Sequence, residues 1–346
     1  MNGDPAKPLL LMDQHFRRVE ELFRPGAFEE LVEHCNIYGG INWPMDRAKF
    51  LSLLPDAEFV VAAHPELSRD ELANAPKLRA IIEVAGTFQA GLDFDTCFEQ
   101  GIEVLSCAPG FRYSVAEMAL GLILAGARGI VDEHERFRHG TERWRHDNMG
   151  ADFSLYRQSF GFVGYGSIAQ ECTRLLAPFS PKITAFDPWL QASGRTFDGV
   201  EFCDLATAAT TNRCVIIAAT PTDENYQLVN RALVERMPLN TLVVIISRSH
   251  LVDFDSLVEA ADAGRIRLAS DVFPDEPVKQ LDPVRYAANT IWSPHRAAAV
   301  DGGRHPIGDM ILHDVRAILA GRPERQLQAA SRETVKKIIH AQLAAG

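Results

Sequence analysis

The stretch of sequence that decides the fold is Phe160-Gly161-Phe162-Val163-Gly164-Tyr165-Gly166-Ser167-Ile168-Ala169. It joins a short apolar run, which predicts a buried strand, to the pattern G-x-G-x-x-A at the start of an apolar helix. In such a turn Gly164 permits the tight bend, Gly166 lets a pyrophosphate approach the backbone, and Ala169 is small enough for the helix to pack on the sheet. The N–H groups of Ser167 and Ile168 at the helix start are predicted to hold the phosphates.

An acidic residue follows at the position where a dinucleotide site needs one. The next apolar run, 183–186, leads directly into Asp187, roughly 20 residues after Gly164, where a carboxylate accepts hydrogen bonds from the ribose hydroxyls. The same charge repels a 2′-phosphate, and no arginine closely follows Asp187. The sequence therefore predicts NAD as the cofactor in preference to NADP.

This turn belongs to a longer series of apolar runs separated by helical patterns. Continuous apolar strands that alternate with helices are typical of a parallel sheet covered on both faces. A long apolar helix beginning near Ser114 precedes the series. We predict a doubly wound Rossmann domain over residues 114–299, with strands at 160–163, 183–186, 215–219, 242–246, 268–271 and 291–292.

The rest of the chain has the same alternation on a smaller scale. Ser68 precedes acidic residues and predicts a helix N-terminus at Arg69, and a C-terminal amphipathic helix ends at Gly321. The fold class is therefore α/β, with two doubly wound parallel-sheet domains. The second of these domains comprises residues 1–113 together with 300–346, and its predicted strands are 9–12, 59–63, 78–84 and 103–106.

Composition excludes several functional classes. The net charge is -11, from 35 basic and 46 acidic residues, which argues against nucleic-acid and anionic-membrane partners because both need clustered Lys and Arg. No apolar run approaches the roughly 18 residues of a membrane helix, and no signal peptide is evident. The six cysteines are scattered without a C-x-x-C pair, so we expect reduced core thiols, no metal and a cytoplasmic location.

Three polar residues follow later strands of the predicted Rossmann domain. Arg248 follows the run 242–246, Glu276 comes shortly after 268–271, and His295 comes shortly after 291–292. In an open α/β sheet, ligands bind outside the carboxyl ends of the strands. A single charged residue in a loop is usually a solvated surface group, but three at this edge together predict an oxidoreductase site beside the nucleotide.

From about residue 78 to 323 the sequence resembles the D-isomer-specific 2-hydroxyacid dehydrogenase family, which includes glyoxylate/hydroxypyruvate reductases and 3-phosphoglycerate dehydrogenases. The elements that carry the resemblance occur in the order and spacing of that family. Besides the glycine-rich turn, they are Val115-Ala116-Glu117, Ala185-Phe186-Asp187-Pro188, Thr220-Pro221, Ser247-Arg248 through Leu251-Val252-Asp253, Asp271-Val272-Phe273 through Glu276-Pro277, and Ser293-Pro294-His295.

The resemblance implies roles for the three polar residues. Arg248 would bind the carboxylate and carbonyl oxygen of a small 2-oxo acid through its fork of N–H donors. His295 would protonate the carbonyl oxygen in reduction and take the hydroxyl proton in oxidation. Glu276 would orient the imidazole ring and favour its protonated form.

The resemblance also implies the remainder of the site. The domain containing residues 1–113 would be a flavodoxin-like substrate domain, and its Gly86 and Thr87 would offer backbone N–H groups to the substrate. The protein would be a homodimer. Further residues of the cofactor site would be Thr220, Pro221, Ser247 and Asp271, the last of which would contact the nicotinamide carboxamide.

The sequence departs from the family at two places, and the role of one further arginine stays open. Ser249 and His250 stand where the family commonly has two glycines, and either residue would be strained at a positive φ. The substrate loop, which in the family is usually G-x-G followed by an acidic residue, reads Ala85-Gly86-Thr87-Phe88-Gln89, and its Phe88 suggests either a less polar substrate pocket or a core position. Arg112 is either a surface residue or a contact for an anionic substrate group.

Two alternatives stay open. A formate dehydrogenase shares the fold with the Arg and the His, but that branch is expected to have Gln where this chain has Glu276. A non-catalytic NAD-sensing interaction protein, as in the transcriptional corepressor branch, resembles the enzymes closely, and turnover of a 2-oxo acid would separate the two.

Overall fold

The computed structural model describes residues 6–13, 18–42, 44–144 and 152–344. Its contacts divide the chain into two compact units. Unit 1 contains the residues up to Arg112 and those from Ala299 onward, whereas unit 2 contains Tyr113–Ala298.

Both units are built from short strands that alternate with helices. The strands are β1 Leu9–Asp13, β2 Asn36–Tyr38, β3 Ala57–Ala62, β4 Ala80–Glu83, β5 Glu103–Ser106, β6 Ser159–Val163, β7 Lys182–Phe186, β8 Val200–Phe202, β9 Cys214–Ile217, β10 Thr241–Ile245, β11 Ile266–Ser270, β12 Thr290–Trp292 and β13 Gln328–Ala329.

The helices lie between these strands in the chain. They are α1 Val19–Leu22, α2 Ala27–His34, α3 Arg47–Leu53, α4 Arg69–Ala73, α5 Phe94–Gln100, α6 Arg112–Arg128, α7 Ile130–Arg138, α8 Ser167–Leu176, α9 Pro188–Ala192, α10 Leu205–Thr210, α11 Arg231–Arg236, α12 Phe254–Asp262, α13 His305–Leu319 and α14 Arg332–Ala344.

The sheet of unit 1 has the strand order β13-β5-β4-β3-β1-β2. Its first five strands in the chain are parallel and follow the flavodoxin-like order, and β13 adds an antiparallel edge beside β5. Along β3, Phe59 and Val61 join one apolar cluster while Val60 and Ala62 join another. Because both faces are covered, the strands of this sheet read as continuous apolar runs.

The sheet of unit 2 is entirely parallel and has the order β12-β11-β10-β9-β6-β7-β8. Strand order reverses at β6, which has β7 on one side and β9 on the other. This reversal creates the crevice at which doubly wound sheets bind ligands, outside the carboxyl ends of the strands. The predicted fold class of two parallel-sheet α/β domains, one of them a Rossmann domain, is therefore confirmed.

The structure also has strands that the sequence pattern did not predict, namely β2, β8 and β13. None of their residues is buried, so they carry no apolar run. The predicted cap at Ser68 is present, since Glu71 N–H reaches Ser68 Oγ and the Glu71 carboxylate accepts from Ser68 N–H at 2.9 Å. Within the described ranges no single helix has the length and apolarity to cross a membrane; α6 and α7 meet that test only together and are bent by 59° where they join.

Candidate active site

The glycine-rich turn joins β6 to α8 as predicted from the sequence. Gly164 has φ +86°, and a Cβ at this position would lie 2.3 Å from Ala219 Cα, so only glycine fits. Gly166 is the exposed N-cap of α8 and has no side chain to occupy the helix N-terminus. Ser167 and Ile168, both half-buried, begin the helix, so their N–H groups lie where a phosphate would bind.

Asp187 connects this turn to the end of β7. Its carboxylate accepts hydrogen bonds from Tyr165 N–H at 2.8 Å and from Leu190 N–H at 3.0 Å. A carboxylate has about four lone-pair sites, so two remain for ribose hydroxyls. Together with the helix N-terminus at Gly166, this arrangement fits the adenosine ribose and the pyrophosphate of NAD.

The loops after β9 and β10 form the next part of the crevice. Thr220 O accepts from the Asn225 side chain at 2.8 Å, Pro221 follows it, and Ser247 Oγ donates to Ile217 O at 3.2 Å. Thr220 is exposed, whereas Ser247 is buried. These residues therefore stand at the carboxyl ends of the two strands that follow β6 in the sheet.

Ser249 and His250 occupy a single 3-10 turn, Ser249–Leu251, and neither has a positive φ. Neither Ser249 nor His250 therefore has the backbone strain that a positive φ would cause in a residue with a Cβ. His250 Nε2 lies 2.9 Å from Thr222 O, and its ring packs edge-on against Tyr226. His250 thus joins the loop after β10 to the loop after β9, which is a structural role.

Arg248 directly precedes this turn, and its side chain reaches solvent although protein surrounds much of it. One of its guanidinium nitrogens donates to Ser247 O at 2.7 Å. Desolvation by the surrounding protein lowers the pKa of Arg248, and the nearby negative charge of Glu276 acts in the opposite direction. The guanidinium of Arg248 therefore lies close enough to the Glu276 carboxylate for an electrostatic interaction.

His295 and Glu276 form a direct pair. The imidazole Nδ1 lies 2.6 Å from Glu276 Oε2, while Phe273 N–H donates to Glu276 Oε1 at 2.9 Å. Because an ionised carboxylate only accepts hydrogen bonds, Nδ1 must carry the proton, which leaves Nε2 as the atom available to a ligand. The His295 side chain is 44% exposed, so Nε2 can be reached.

The backbone conformation at His295 is unusual, and no sequence pattern predicted it. Its φ is +51°, in the left-handed region that residues with a Cβ rarely adopt. His295 N–H donates to Asp271 O at 2.8 Å, which holds this conformation. A non-glycine residue keeps a positive φ where the surrounding structure imposes it, as the hydrogen bond to Asp271 O does here.

Asp271 is buried beneath the same loop. Its carboxylate accepts from Ser293 Oγ, from Arg296 N–H at 2.9 Å and from Ala297 N–H at 3.0 Å. The contact of Asp271 with the nicotinamide carboxamide stays a prediction, and within the chain its carboxylate binds the segment around His295. The sequence pattern did not reveal that this buried acid at a strand end accepts from the backbone N–H groups of Arg296 and Ala297.

Gly86 and Thr87 lie in unit 1, in the loop after β4. Gly86 has φ +96°, and a Cβ there would lie 2.7 Å from the Phe111 ring. Gly86 N–H donates to Glu83 Oε1 at 2.6 Å, so this group is engaged within the protein. Phe88 is 2% exposed and packs edge-on against Phe94, which makes it a core residue and not part of a pocket wall.

The described residues contain no group of three or more His, Cys, Asp or Glu arranged to hold a metal ion. All six cysteines are free thiols, and only Cys203 is not buried. Burial raises the pKa of the Cys35, Cys97 and Cys172 thiols to about 12, so these groups stay protonated at neutral pH.

Comparison with known proteins places these features in a family. Residues 120–297, just over half of the chain, match the model described as D-isomer specific 2-hydroxyacid dehydrogenase, NAD binding domain. A solved structure described as a phosphoglycerate oxidoreductase from Rhizobium etli is similar over 94% of this chain and 99% of its own, with 32% sequence identity and a TM-score of 0.82.

Curated relatives are more distant in sequence. D-3-phosphoglycerate dehydrogenase of Methanocaldococcus jannaschii is 28% identical over 281 residues, which cover 80% of this chain and 52% of the relative. Hydroxypyruvate reductase of Thermotoga maritima is 26% identical over 276 residues, which cover 78% of this chain and 88% of the relative. This chain therefore spans about half the length of the phosphoglycerate dehydrogenases that it matches.

Proposed function

The chain belongs to the D-isomer-specific 2-hydroxyacid dehydrogenase family, and on that basis we propose that it interconverts a small 2-oxo acid and its D-2-hydroxy acid with NAD. The observation that carries this proposal is the His295–Glu276 pair, with Nδ1 and Oε2 2.6 Å apart, beyond the carboxyl ends of the sheet that also carries the glycine-rich turn. Hydride transfer to a carbonyl needs a proton donor at such a position.

Each of the three catalytic residues, Arg248, Glu276 and His295, has a separate role in the proposed reaction. When bound, NAD supplies the hydride chemistry. Arg248 binds the substrate carboxylate and carbonyl oxygen through its N–H donors. His295 Nε2 donates a proton to the carbonyl oxygen in reduction and removes the hydroxyl proton in oxidation. Glu276 accepts from Nδ1 and so fixes the ring and stabilises the imidazolium.

The other predicted residues serve the cofactor and the substrate. Gly164, Gly166, Ser167 and Ile168 receive the pyrophosphate. Asp187 binds the adenosine ribose, and we assign Thr220, Pro221, Ser247 and Asp271 to the remaining cofactor contacts. The loop of Gly86 and Thr87 receives the substrate carboxylate.

We further propose that the protein is a cytoplasmic homodimer. Helix α7 supports the homodimer, because none of its residues is buried in the single chain although Ile130, Val131 and Phe137 are apolar. Exposed apolar side chains grouped on one helix are typical of a subunit interface.

The proposed activity is tested by NADH oxidation with glyoxylate, hydroxypyruvate, pyruvate, phenylpyruvate and 3-phosphohydroxypyruvate. We expect turnover of at least one acid, its loss in His295→Ala, and its retention in the control His34→Gln, which changes a histidine at the end of α2. NADH binding without turnover of any acid would instead favour the NAD-sensing protein. Reduction of NAD by formate would favour a formate dehydrogenase.

A further inference from the structure

A buried carboxyl group lies directly below the loop of Gly86 and Thr87. Glu83 is the last residue of β4 and is 1% exposed. In the sheet it stands between Ala62 of β3 and Ser106 of β5. A carboxyl group at such a position is costly to bury unless its oxygens receive hydrogen bonds.

Three hydrogen-bond donors converge on this carboxyl group. Oε1 accepts from Ala85 N–H and from Gly86 N–H, the latter at 2.6 Å. Oε2 accepts from Ser106 Oγ at 2.7 Å. Successive N–H groups that point at one oxygen form a small anion-binding nest, and Glu83 fills it from the inside.

Glu83 is poised between its two protonation states near neutral pH. Burial raises the pKa of this carboxyl group to about 7, while the hydrogen bonds from Ser106 and the loop act in the opposite direction. Its neighbours Ala62 and Ser106 carry no charge. Of the titratable residues that follow them, Cys107 belongs to the cluster on the opposite face of the sheet, and His64 is exposed beyond the end of β3.

The protonated form can be accommodated without breaking the loop. Ser106 Oγ also accepts from Ala108 N–H at 3.2 Å, so it can serve as an acceptor as well as a donor. A proton on Oε2 can therefore be donated to Ser106 Oγ, while Oε1 keeps its bonds to the loop. The two states differ in charge and not in the path of the chain.

We infer that Glu83 is a positioning residue that sets how strongly the loop 85–87 receives an anionic substrate. This inference rests on the proposed function, which assigns the substrate carboxylate to that loop. In both states the loop N–H groups donate to Oε1, but an ionised Glu83 opposes a second negative charge at the loop, whereas the neutral form does not oppose it. The ionised form therefore binds a 2-oxo acid more weakly.

The test compares wild type with Glu83→Gln, which keeps the shape and removes the charge. The KM of the best substrate, and the Kd of oxalate with NADH present as a non-reacting probe, are measured from pH 6 to 8. We expect the ratio of wild-type to variant values to be near one at pH 6 and to rise on the order of threefold to tenfold by pH 8. The kcat ratio should not change with pH, and Glu99→Gln, which alters an exposed acid of α5, should follow wild type.

The outcomes separate this inference from the proposed function. A KM ratio that does not change with pH would overturn the role of Glu83 while the dehydrogenase stands. If none of the five acids is turned over, the oxalate measurement decides, and failure of oxalate to bind either protein overturns the inference. If Glu83→Gln does not fold, Ser106→Ala replaces it. The hydrogen bond from Ser106 lowers the pKa of Glu83, so in Ser106→Ala the rise of KM with pH should occur at a higher pH than in wild type. The same dependence of KM on pH in both proteins would count against the inference.

Discussion

Among single residues, His295 has the most constrained position in the site. Its φ of +51° costs on the order of 1–3 kcal/mol, which the contacts of Asp271 with the same segment offset. The Nδ1–Oε2 contact with Glu276 fixes the ring from a second direction. A proton donor held in this way needs little reorganisation when a carbonyl oxygen approaches Nε2.

Replacement of Glu276 tests the pairing itself. Glu276→Gln keeps an oxygen that can accept from His295 Nδ1 but loses the charge that stabilises the imidazolium. We expect kcat/KM for 2-oxo acid reduction to fall by about 10- to 100-fold, with unchanged NADH affinity. Asp275→Asn removes the neighbouring exposed acid and should have little effect. Equal losses in the two variants would contradict a specific role for Glu276.

Asp271 is expected to act on stability as well as on activity. Asp271→Asn leaves one acceptor oxygen for the N–H groups of Arg296 and Ala297, which are near the catalytic histidine. We expect the free energy of unfolding in urea to fall by about 1–3 kcal/mol, together with kcat. A variant that lost only NADH affinity and kept wild-type stability would show that cofactor contact is the main role of this aspartate.

Glu83 gives a dependence of stability on pH that needs no substrate. Its carboxyl pKa is raised from 4.5 to about 7, so between these values the folded protein holds more protons than the unfolded chain. The resulting stabilisation is fully present below pH 4.5 and is lost as the pH rises through 7. Relative to Glu83→Gln, the wild-type free energy of unfolding should fall by about 3 kcal/mol from pH 4.5 to 7.5. The same difference in free energy of unfolding between the two proteins at every pH would contradict this prediction.

At the scale of elements, the β6–turn–α8 unit depends on Gly164 for two separable reasons. In Gly164→Ala, the alanine would have to adopt a positive φ and its Cβ would clash with the backbone of Ala219. In the control Gly194→Ala, the alanine would adopt a positive φ of +68°, but its Cβ would contact nothing. We expect a cost of about 1 kcal/mol for the second variant. The first should lose more than that and should lose NADH binding in a fluorescence titration. Similar stability and NADH binding in the two variants would mean that the backbone near Ala219 can move to make room for the added Cβ.

Elements were predictable from sequence where burial shaped the composition. The apolar runs of β1, β3–β7 and β9–β11 stand out because both faces of each sheet are covered. Neither β8 nor β12 has a buried residue, and β12 was predicted only from its apolar pair Ile291-Trp292. Arg248, Glu276 and His295 were identifiable because strand ends in a parallel sheet share one edge. The role of Glu83 could not be predicted from the sequence, because it depends on a loop that folds back over the end of β4. The contacts of Asp271 were hidden for a similar reason, since they depend on a chain reversal at His295.

At the scale of the whole molecule, α7 of unit 2 groups three exposed apolar side chains, those of Ile130, Val131 and Phe137, on one short helix. Phe137 is 64% exposed and Ile130 is 54% exposed. Burial of a large apolar side chain is worth roughly 1.5–3 kcal/mol, so a symmetric contact that covers these residues twice favours association strongly.

The predicted homodimer is tested by one charge placed on that helix. We expect wild type to have twice the chain mass of 38.3 kDa by light scattering, and Phe137→Glu to shift toward the single-chain mass, because a buried unpaired carboxylate opposes the contact. Leu281→Glu is the matched control, since Leu281 is 85% exposed and lies outside α7. A wild type of single-chain mass would show that the exposed residues of α7 do not bind a second copy. A dimer unchanged by Phe137→Glu would place the interface on another surface.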